Sequence, residues 1–220
     1  MNKVLITALA AIAPLSAFAD VLWSQAPLNP PDGFFSDGIS TGGQFWGQSI
    51  ADDFSLASQS NITKITFWGS SEAFFNDDLS NFASWDIQIL NSAFGTVFTT
   101  NVSKASLSPV LTGSVGDFTG SEFKFTFNTN INLAAGSYFL NVGSVNSDPD
   151  GDGWNWSAAA TNNLIAGNIF DGGGWFTDNT FDIDVAFQIE GTTQVVPEPA
   201  TMAVLGMGAL ALMRRRRKSA

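Results

Sequence analysis

Four stretches of this chain alternate apolar and polar residues one by one, and a period of two excludes most folds at the outset. Ile62, Ile65 and Phe67 stand among Thr63, Lys64 and Thr66, and Trp85, Ile87 and Ile89 alternate with Asp86 and Gln88. The pattern is nearly unbroken in Glu122-Phe123-Lys124-Phe125-Thr126-Phe127 and again from Phe181 to Glu190. Successive side chains on a strand point to opposite faces, so each run predicts a half-buried strand with one face on a core and one in water. Glu122 and Glu190 are then expected as ordinary solvent-side charges. The adjacent acids of Asp52-Asp53 and Asp77-Asp78 are expected to point apart.

Between these runs the chain is punctuated by Gly, Asn, Asp and Ser, as in 30–43, 70–81, 113–120, 146–153 and 171–174. No amphipathic helical stretch is legible, and the glycines and β-branched residues oppose one. Strands about ten residues apart with short polar connections predict an all-β fold, an antiparallel β-sandwich or jelly roll. There is no cysteine, so stability must come from packing, and twenty Phe and seven Trp supply the apolar area. Trp23, Trp46, Trp68 and Trp85 lie in or beside strand patterns and are expected in the core.

Charge and missing residue types narrow the chemistry. Apart from six basic residues near the two ends, the stretch from Asp20 to Glu198 holds twenty acids against Lys64, Lys104 and Lys124, a balance of −17. Such a surface repels phosphate backbones, so nucleic acid is not an expected partner. There is no histidine, which removes Ser-His-Asp and Cys-His catalysis, ordinary zinc enzymes and histidine general bases.

Both ends carry targeting patterns. Met1 to Ala19 has one cation, Lys3, an apolar stretch from Val4 to Leu15 and the small-x-small ending Ala17-Phe18-Ala19, which predicts a signal peptide cleaved before Asp20. At the other end Val196-Pro197-Glu198-Pro199-Ala200 precedes the apolar run Thr201 to Met213, and Arg214, Arg215, Arg216, Arg217 and Lys218 follow. As a helix rising about 1.5 Å per residue, that run covers roughly 20 Å, short of a ~30 Å bilayer core. It can lodge in a membrane but is too short for a durable anchor. The basic cluster resists translocation, so Pro197 and all before it are expected outside. The predicted organisation is a signal peptide over 1–19, an ectodomain over 20–191, a linker over 192–196 and a sorting signal over 197–220.

This tail resembles the PEP-CTERM sorting domain, in its Pro197-Glu198-Pro199 motif, its Gly206- and Gly208-containing helix and its membrane stop at Arg214 to Arg217. The resemblance implies recognition and cleavage near the Pro-Glu-Pro motif by exosortase, in Gram-negative bacteria that make extracellular polysaccharide. It implies transient membrane attachment, followed by a cell-surface or extracellular destination. The runs Ser49 to Leu56, Ile62 to Gly69, Ser84 to Ile89 and Asp184 to Gly191 also resemble the β-sandwich ectodomain common among PEP-CTERM proteins. That second likeness implies a fold and no specific activity.

Three stretches could carry chemistry. Asp148-Pro149-Asp150-Gly151-Asp152-Gly153-Trp154 places carboxylates at alternate positions with Gly at the sixth, the opening half of a calcium loop. Asp148, Asp150 and Asp152 would be side-chain ligands and Trp154 would offer its carbonyl, but the twelfth position is Ala159 rather than a bidentate Glu. The plain alternative is an acidic turn. Trp154 and Trp156 share a strand face, and with Trp175 they could stack on a sugar, or pack into a Phe-rich core instead. A carboxylate-dependent hydrolase or lyase would need a pair of acids, and nothing selects one with a raised pKa. The expectation is a non-enzymatic, exosortase-processed surface or matrix protein associated with exopolysaccharide. The alternatives are a calcium-dependent glycan-binding module and a polysaccharide hydrolase or lyase.

Overall fold

The computed structural model describes residues 19–29, 31–36, 49–71, 79–116, 120–146, 153–160, 166–170, 175–182 and 184–194. The described strands pair throughout in antiparallel fashion and form two sheets, as the alternation predicts. The first contains β1 (Asp20–Gln25), β2 (Gly33–Phe35), β4 (Ser60–Ser71), β7 (Val110–Val115), β8 (Ser121–Leu133), β10 (Trp154–Ser157) and β13 (Phe187–Thr193). The second contains β3 (Ser49–Leu56), β5 (Phe82–Asn91), β6 (Thr96–Ser103), β9 (Gly136–Asn146), β11 (Ala166–Phe170) and β12 (Trp175–Asp182), in the order β12-β11-β3-β9-β5-β6.

The first sheet is organised on β4, whose residues bond on both sides. Along one side β8 pairs from Ser60↔Leu133 to Gly69↔Phe123. Along the other, β13 takes the first half, from Phe187↔Phe67 to Thr193↔Ser60, and β10 takes the end, from Trp156↔Gly69 to Trp154↔Ser71. Outside β13 lies β1, outside β10 lies β2, and outside β8 lies β7.

The inward faces meet in an aromatic layer. Trp85 of β5 lies 4.8 Å from Phe125 of β8, and Phe54 of β3 lies 6.3 Å edge-on to Phe187 of β13. Offset and edge-on ring pairs of this kind add about 0.5–1.5 kcal/mol each beyond area burial. Gly69 is where this layer touches the backbone, because a Cβ there would sit 2.5 Å from the Trp154 ring. Trp85 is fully buried as expected, whereas Trp23 and Trp68 are only partly so. Trp46 lies outside the described residues.

Three expectations need correction. The run from Phe181 to Glu190 is not one strand: β12 ends at Asp182 in the second sheet and β13 starts at Phe187 in the first. The alternation continues because Asp184, Val185 and Ala186 pass the end of β10, exchanging backbone bonds with Ser157 and Ala159. A single helical turn, α1 (Lys104–Leu107), also exists. Ser103 caps it, Ser108 closes it in the left-handed conformation, and fully buried Leu107 anchors it in the core where the chain passes from β6 to β7. Thirdly, Glu122 is only 2% exposed although it points to the outer side of β8. Its carboxylate accepts the hydroxyls of Ser157 at 2.8 Å and Thr112 at 3.0 Å. Period two assigns a side chain to a face of the pleat and is silent on whether that face is covered.

Candidate functional site

The strand that leads to the C-terminal targeting pattern is paired on both sides. β13 sits between β1 and β4, with Phe187 and Ile189 buried inward. Outward, Glu190 pairs with Lys64 at 2.7 Å and accepts the Gln188 amide at 2.7 Å. A register shift between Glu190 and Gly191 follows, and Gly191 lies against the Asn61 carbonyl where a side chain would collide. Beyond it Thr192 and Thr193 still pair with Asn61 and Ser60, and the Gln194 N–H donates to the Gln59 carbonyl at 2.8 Å.

The expected linker over 192–196 is therefore corrected at its start. Thr192 and Thr193 belong to the sheet, because the glycine lets the chain rejoin β4 after the bulge. Three residue steps then separate Gln194 from Pro197, at most about 10 Å of extended chain. Any enzyme acting at Pro197, Glu198 and Pro199 works that close to the folded sheet. Those three residues, the membrane stop at Arg214 to Arg217 and the proposed signal peptide up to Phe18 lie outside the described residues, as do Asp148, Asp150 and Asp152. Among the described residues no group of acidic side chains could hold a metal ion, and no helix is long and apolar enough to cross a membrane.

The three tryptophans separate. Trp154 and Trp156 are fully buried, and the Trp156 Nε1–H donates to the Ala186 carbonyl at 2.9 Å. Their shared face is the core face, so of the two alternatives for these rings the structure shows the Phe-rich core, and neither is placed to stack on a sugar. Trp175 is half-buried and parallel to Phe94, at 6.0 Å and 12°, and Phe94 stacks in turn on Phe139 at 4.8 Å and 19°. Phe94 reaches this position from the β5–β6 turn with φ at +59°, in a loop tied by Asn91 Oδ1 accepting the N–H groups of Ala93 and Gly95. Phe139 stands opposite Asp53 of β3. The sequence singled out Trp175 alone, since nothing local shows that a hairpin tip and a β9 residue would join it.

One acid with a shifted pKa does exist. Asp52 occupies an inward position of β3 between Ile50 and Phe54 and is 3% exposed. Burial pushes its carboxyl from the ordinary 3.8 up to about 8, and the charges of Asp184 and Asp53 push the same way, against the donations it receives from the Val185 and Asp53 N–H groups. The Gln25 side-chain amide, oriented with its NH2 toward Asp52 Oδ2 and the Val185 carbonyl, lies 3.2 Å from both and donates to both. The sequence signal available was an acid in phase with Ile50 and Phe54. This arrangement joins the sheets; it is enclosed by them rather than open to a substrate.

Residues 195–218 match the PEP-CTERM protein-sorting motif, beginning one residue beyond the Gln194–Gln59 hydrogen bond. The chain thus carries the signal of an exosortase-targeted protein, exported and sorted to the cell envelope. Residues 21–105 match a domain of unknown function, DUF7901, a span that runs from β1 into α1 and takes strands from both sheets. No curated protein and no solved structure matches the chain.

Proposed function

We propose that this chain is a non-enzymatic component of the cell surface or extracellular matrix of a Gram-negative bacterium, associated there with exopolysaccharide. In this reading Met1 to Ala19 directs export, and Thr201 to Met213 lodges briefly in the membrane with Arg214 to Arg217 on the cytoplasmic side. Exosortase then cuts near Pro197, Glu198 and Pro199, freeing the β-sandwich. The observation that carries the proposal is the sorting motif, which starts just after a strand held between two others in its sheet. The absence of His and Cys supports a structural rather than catalytic role.

The test replaces Pro197, Glu198 and Pro199 with alanine in an epitope-tagged full chain in an exosortase-bearing host, followed by fractionation and mass measurement. The variant is expected to stay membrane-bound at unprocessed mass while the parent reaches the surface or medium. Identical location and mass for the two chains overturns the proposal.

The Trp175–Phe94–Phe139 stack favours one second reading, a weak glycan contact on the outer side of the second sheet. Apolar ring surface beside a carboxylate, here Asp53, suits the apolar face and hydroxyls of a sugar. Titration with the producer's polysaccharide is expected to change the fluorescence of the parent chain and not of Trp175→Ala. Equal responses from both remove this reading.

A further inference from the structure

The first strand of the sandwich begins, and the last one finishes, at the same end of the fold. Asp20 of β1 pairs with Gly191 of β13, and three residues later the Gln194 N–H is held by the Gln59 carbonyl. The chain turns at this end through three short connections, residues 57–59 between β3 and β4, 92–95 between β5 and β6, and 134–135 between β8 and β9. All three are tied down. Gln59 accepts from Gln194, the Asn91 N–H donates to the Gly95 carbonyl at 2.8 Å, and the Tyr138 hydroxyl donates to the Ala134 carbonyl at 3.1 Å.

Every residue of these connections is described, and among the described residues at this end Asp20 is the only charged one. Ala57, Ala93, Ala134 and Ala135 are exposed there, with half-buried Phe94 beside Ala93. The next charges, Asp53, Lys64 and Glu190, lie three or more residues back along their strands, and the register through β11 puts Asp182 level with Asp53. The opposite end differs. Ser71 pairs there with Trp154, Phe82 with Asn146 and Val115 with Ser121. The connections from Ser71 to Phe82, Val115 to Ser121 and Asn146 to Trp154 leave from that end and return to it. Their sequences hold three, one and three acids, seven of the twenty in the chain.

We infer that the nearly uncharged end is a membrane-facing surface: while the tail is lodged in the bilayer, the sandwich stands on the turns at Ala57, Ala93-Phe94 and Ala134-Ala135, against the lipid headgroups. This rests on the reading of Thr201 to Met213 as a membrane segment. Reach sets the orientation. From Gln194 to Thr201 there are seven residue steps, at most about 25 Å of extended chain. The 12 residues of β4 span about 40 Å, so the tail is too short to double back and seat the opposite end on the bilayer. Charge selects the same contact. Carboxylates pressed onto anionic lipid are repelled and lose water, whereas alanine and a phenyl ring meet neither cost. The turns offer little apolar area, so the tail holds the contact by the effective concentration it imposes. The chain before Asp20 leaves by this end too, and a signal peptide there enters the same membrane without crossing the fold.

The native chain has no cysteine, which makes single labels clean. Full-length Ala57→Cys and Val115→Cys chains are labelled with a fluorescent maleimide and reconstituted into vesicles of phosphatidylethanolamine and phosphatidylglycerol. The vesicles are prepared with and without a nitroxide-headgroup lipid as quencher, then floated. Val115 is 61% exposed and lies at the opposite end, where it pairs with Ser121. The expected result is loss of most fluorescence from the Ala57→Cys label and little change at Val115→Cys. Adding Ala134→Glu and Ala135→Glu to the Ala57→Cys chain is expected to restore its fluorescence while the chain still floats. The substituted side chains are exposed, so folding is retained. Floated chains with both labels quenched alike, with neither quenched, or with quenching that ignores the glutamates overturn this inference alone. A chain that does not float overturns the membrane reading of the tail, and this inference with it.

Discussion

The Asp52 carboxylate, projecting inward from β3 of the second sheet, accepts the backbone N–H of Val185 at 2.9 Å where the chain enters β13 of the first. An acid on a core face thus serves as a tie between sheets, at the price of a carboxyl whose pKa burial raises to about 8. In the unfolded chain the same group titrates near 3.9. Between these values the folded state holds a proton that the unfolded state does not, so the contribution of this group to stability is fully present below about pH 4 and is lost as pH rises to about 8.

Asp52→Asn removes that pH dependence. The amide offers one acceptor where the carboxyl has two, so near pH 4 the variant is expected to be less stable by about 1–3 kcal/mol. Above pH 8 it spares the fold a buried charge beside Asp184 and Asp53 and is expected to melt higher than the parent. Thermal melts of both chains from pH 4 to 9 check this, and curves that never cross contradict the assignment.

The two core tryptophans of β10 differ in one hydrogen bond. Trp156 donates to the Ala186 carbonyl at 2.9 Å, whereas Trp154 Nε1 has no acceptor among the described residues. Both Trp→Phe substitutions shorten a buried ring, but only Trp156→Phe also removes a bond. It should cost about 1 kcal/mol more than Trp154→Phe in denaturant unfolding. Equal costs would mean that the Ala186 contact contributes nothing.

Gly191 admits β13 to within contact of the Asn61 carbonyl just past the bulge. Gly191→Ala places a methyl group on that oxygen, and backbone, unlike a flexible side-chain end, cannot step aside. A loss of about 1–3 kcal/mol is expected from overpacking of this kind. Hydrogen exchange should locate it as faster opening of Thr192 to Gln194, the residues that join the sheet to the sorting motif.

How far the sequence reaches is seen best in residues where it succeeds and fails for the same reason. Trp85, Ile87 and Ile89 are buried because period two reports the pleat, and the pleat is local. Asp52 fits the inward phase of Ile50 and Phe54, yet its chemistry comes from Gln25 and Val185, which are remote in sequence. Glu122 is outward as expected, but what encloses it includes Ser157 and Thr112 from two other strands. The Trp175 stack needs Phe94 and Phe139, which only the β5–β6 turn and β9 bring together. Local pattern therefore finds strands and faces, while the covering of a face and the pairing of distant side chains belong to strand order.

Calcium tests the acidic stretch at Asp148, Asp150 and Asp152. If these carboxylates converge on a cation, calcium binds the folded chain preferentially and stabilises it by about 2.7 kcal/mol at a hundredfold excess over Kd. The parent is then expected to melt higher in calcium than in chelator, and an Asp150→Asn/Asp152→Asn variant to melt alike in both. Indistinguishable melts for the parent leave these residues as turn formers.

The junction after Gln194 makes processing depend on the length of a very short segment. The Gln194 N–H is held by the Gln59 carbonyl, and the matched sorting motif starts at residue 195, so the Pro-Glu-Pro motif stands at most about 10 Å from the sheet. A membrane enzyme must approach the backbone there with the sandwich alongside. Deleting Val195 and Val196 brings the motif about 7 Å nearer the sheet and is expected to slow or stop cleavage. Inserting a flexible Gly-Ser spacer at the same point relieves the crowding and should speed it. Pulse-chase measurement of the mass shift in an exosortase-bearing host ranks the three chains. Cleavage rates that ignore both changes would mean that the tail is recognised without regard to the folded body, or that the last residues of β13 open before the enzyme acts; exchange rates at Thr192 and Thr193 separate those two outcomes.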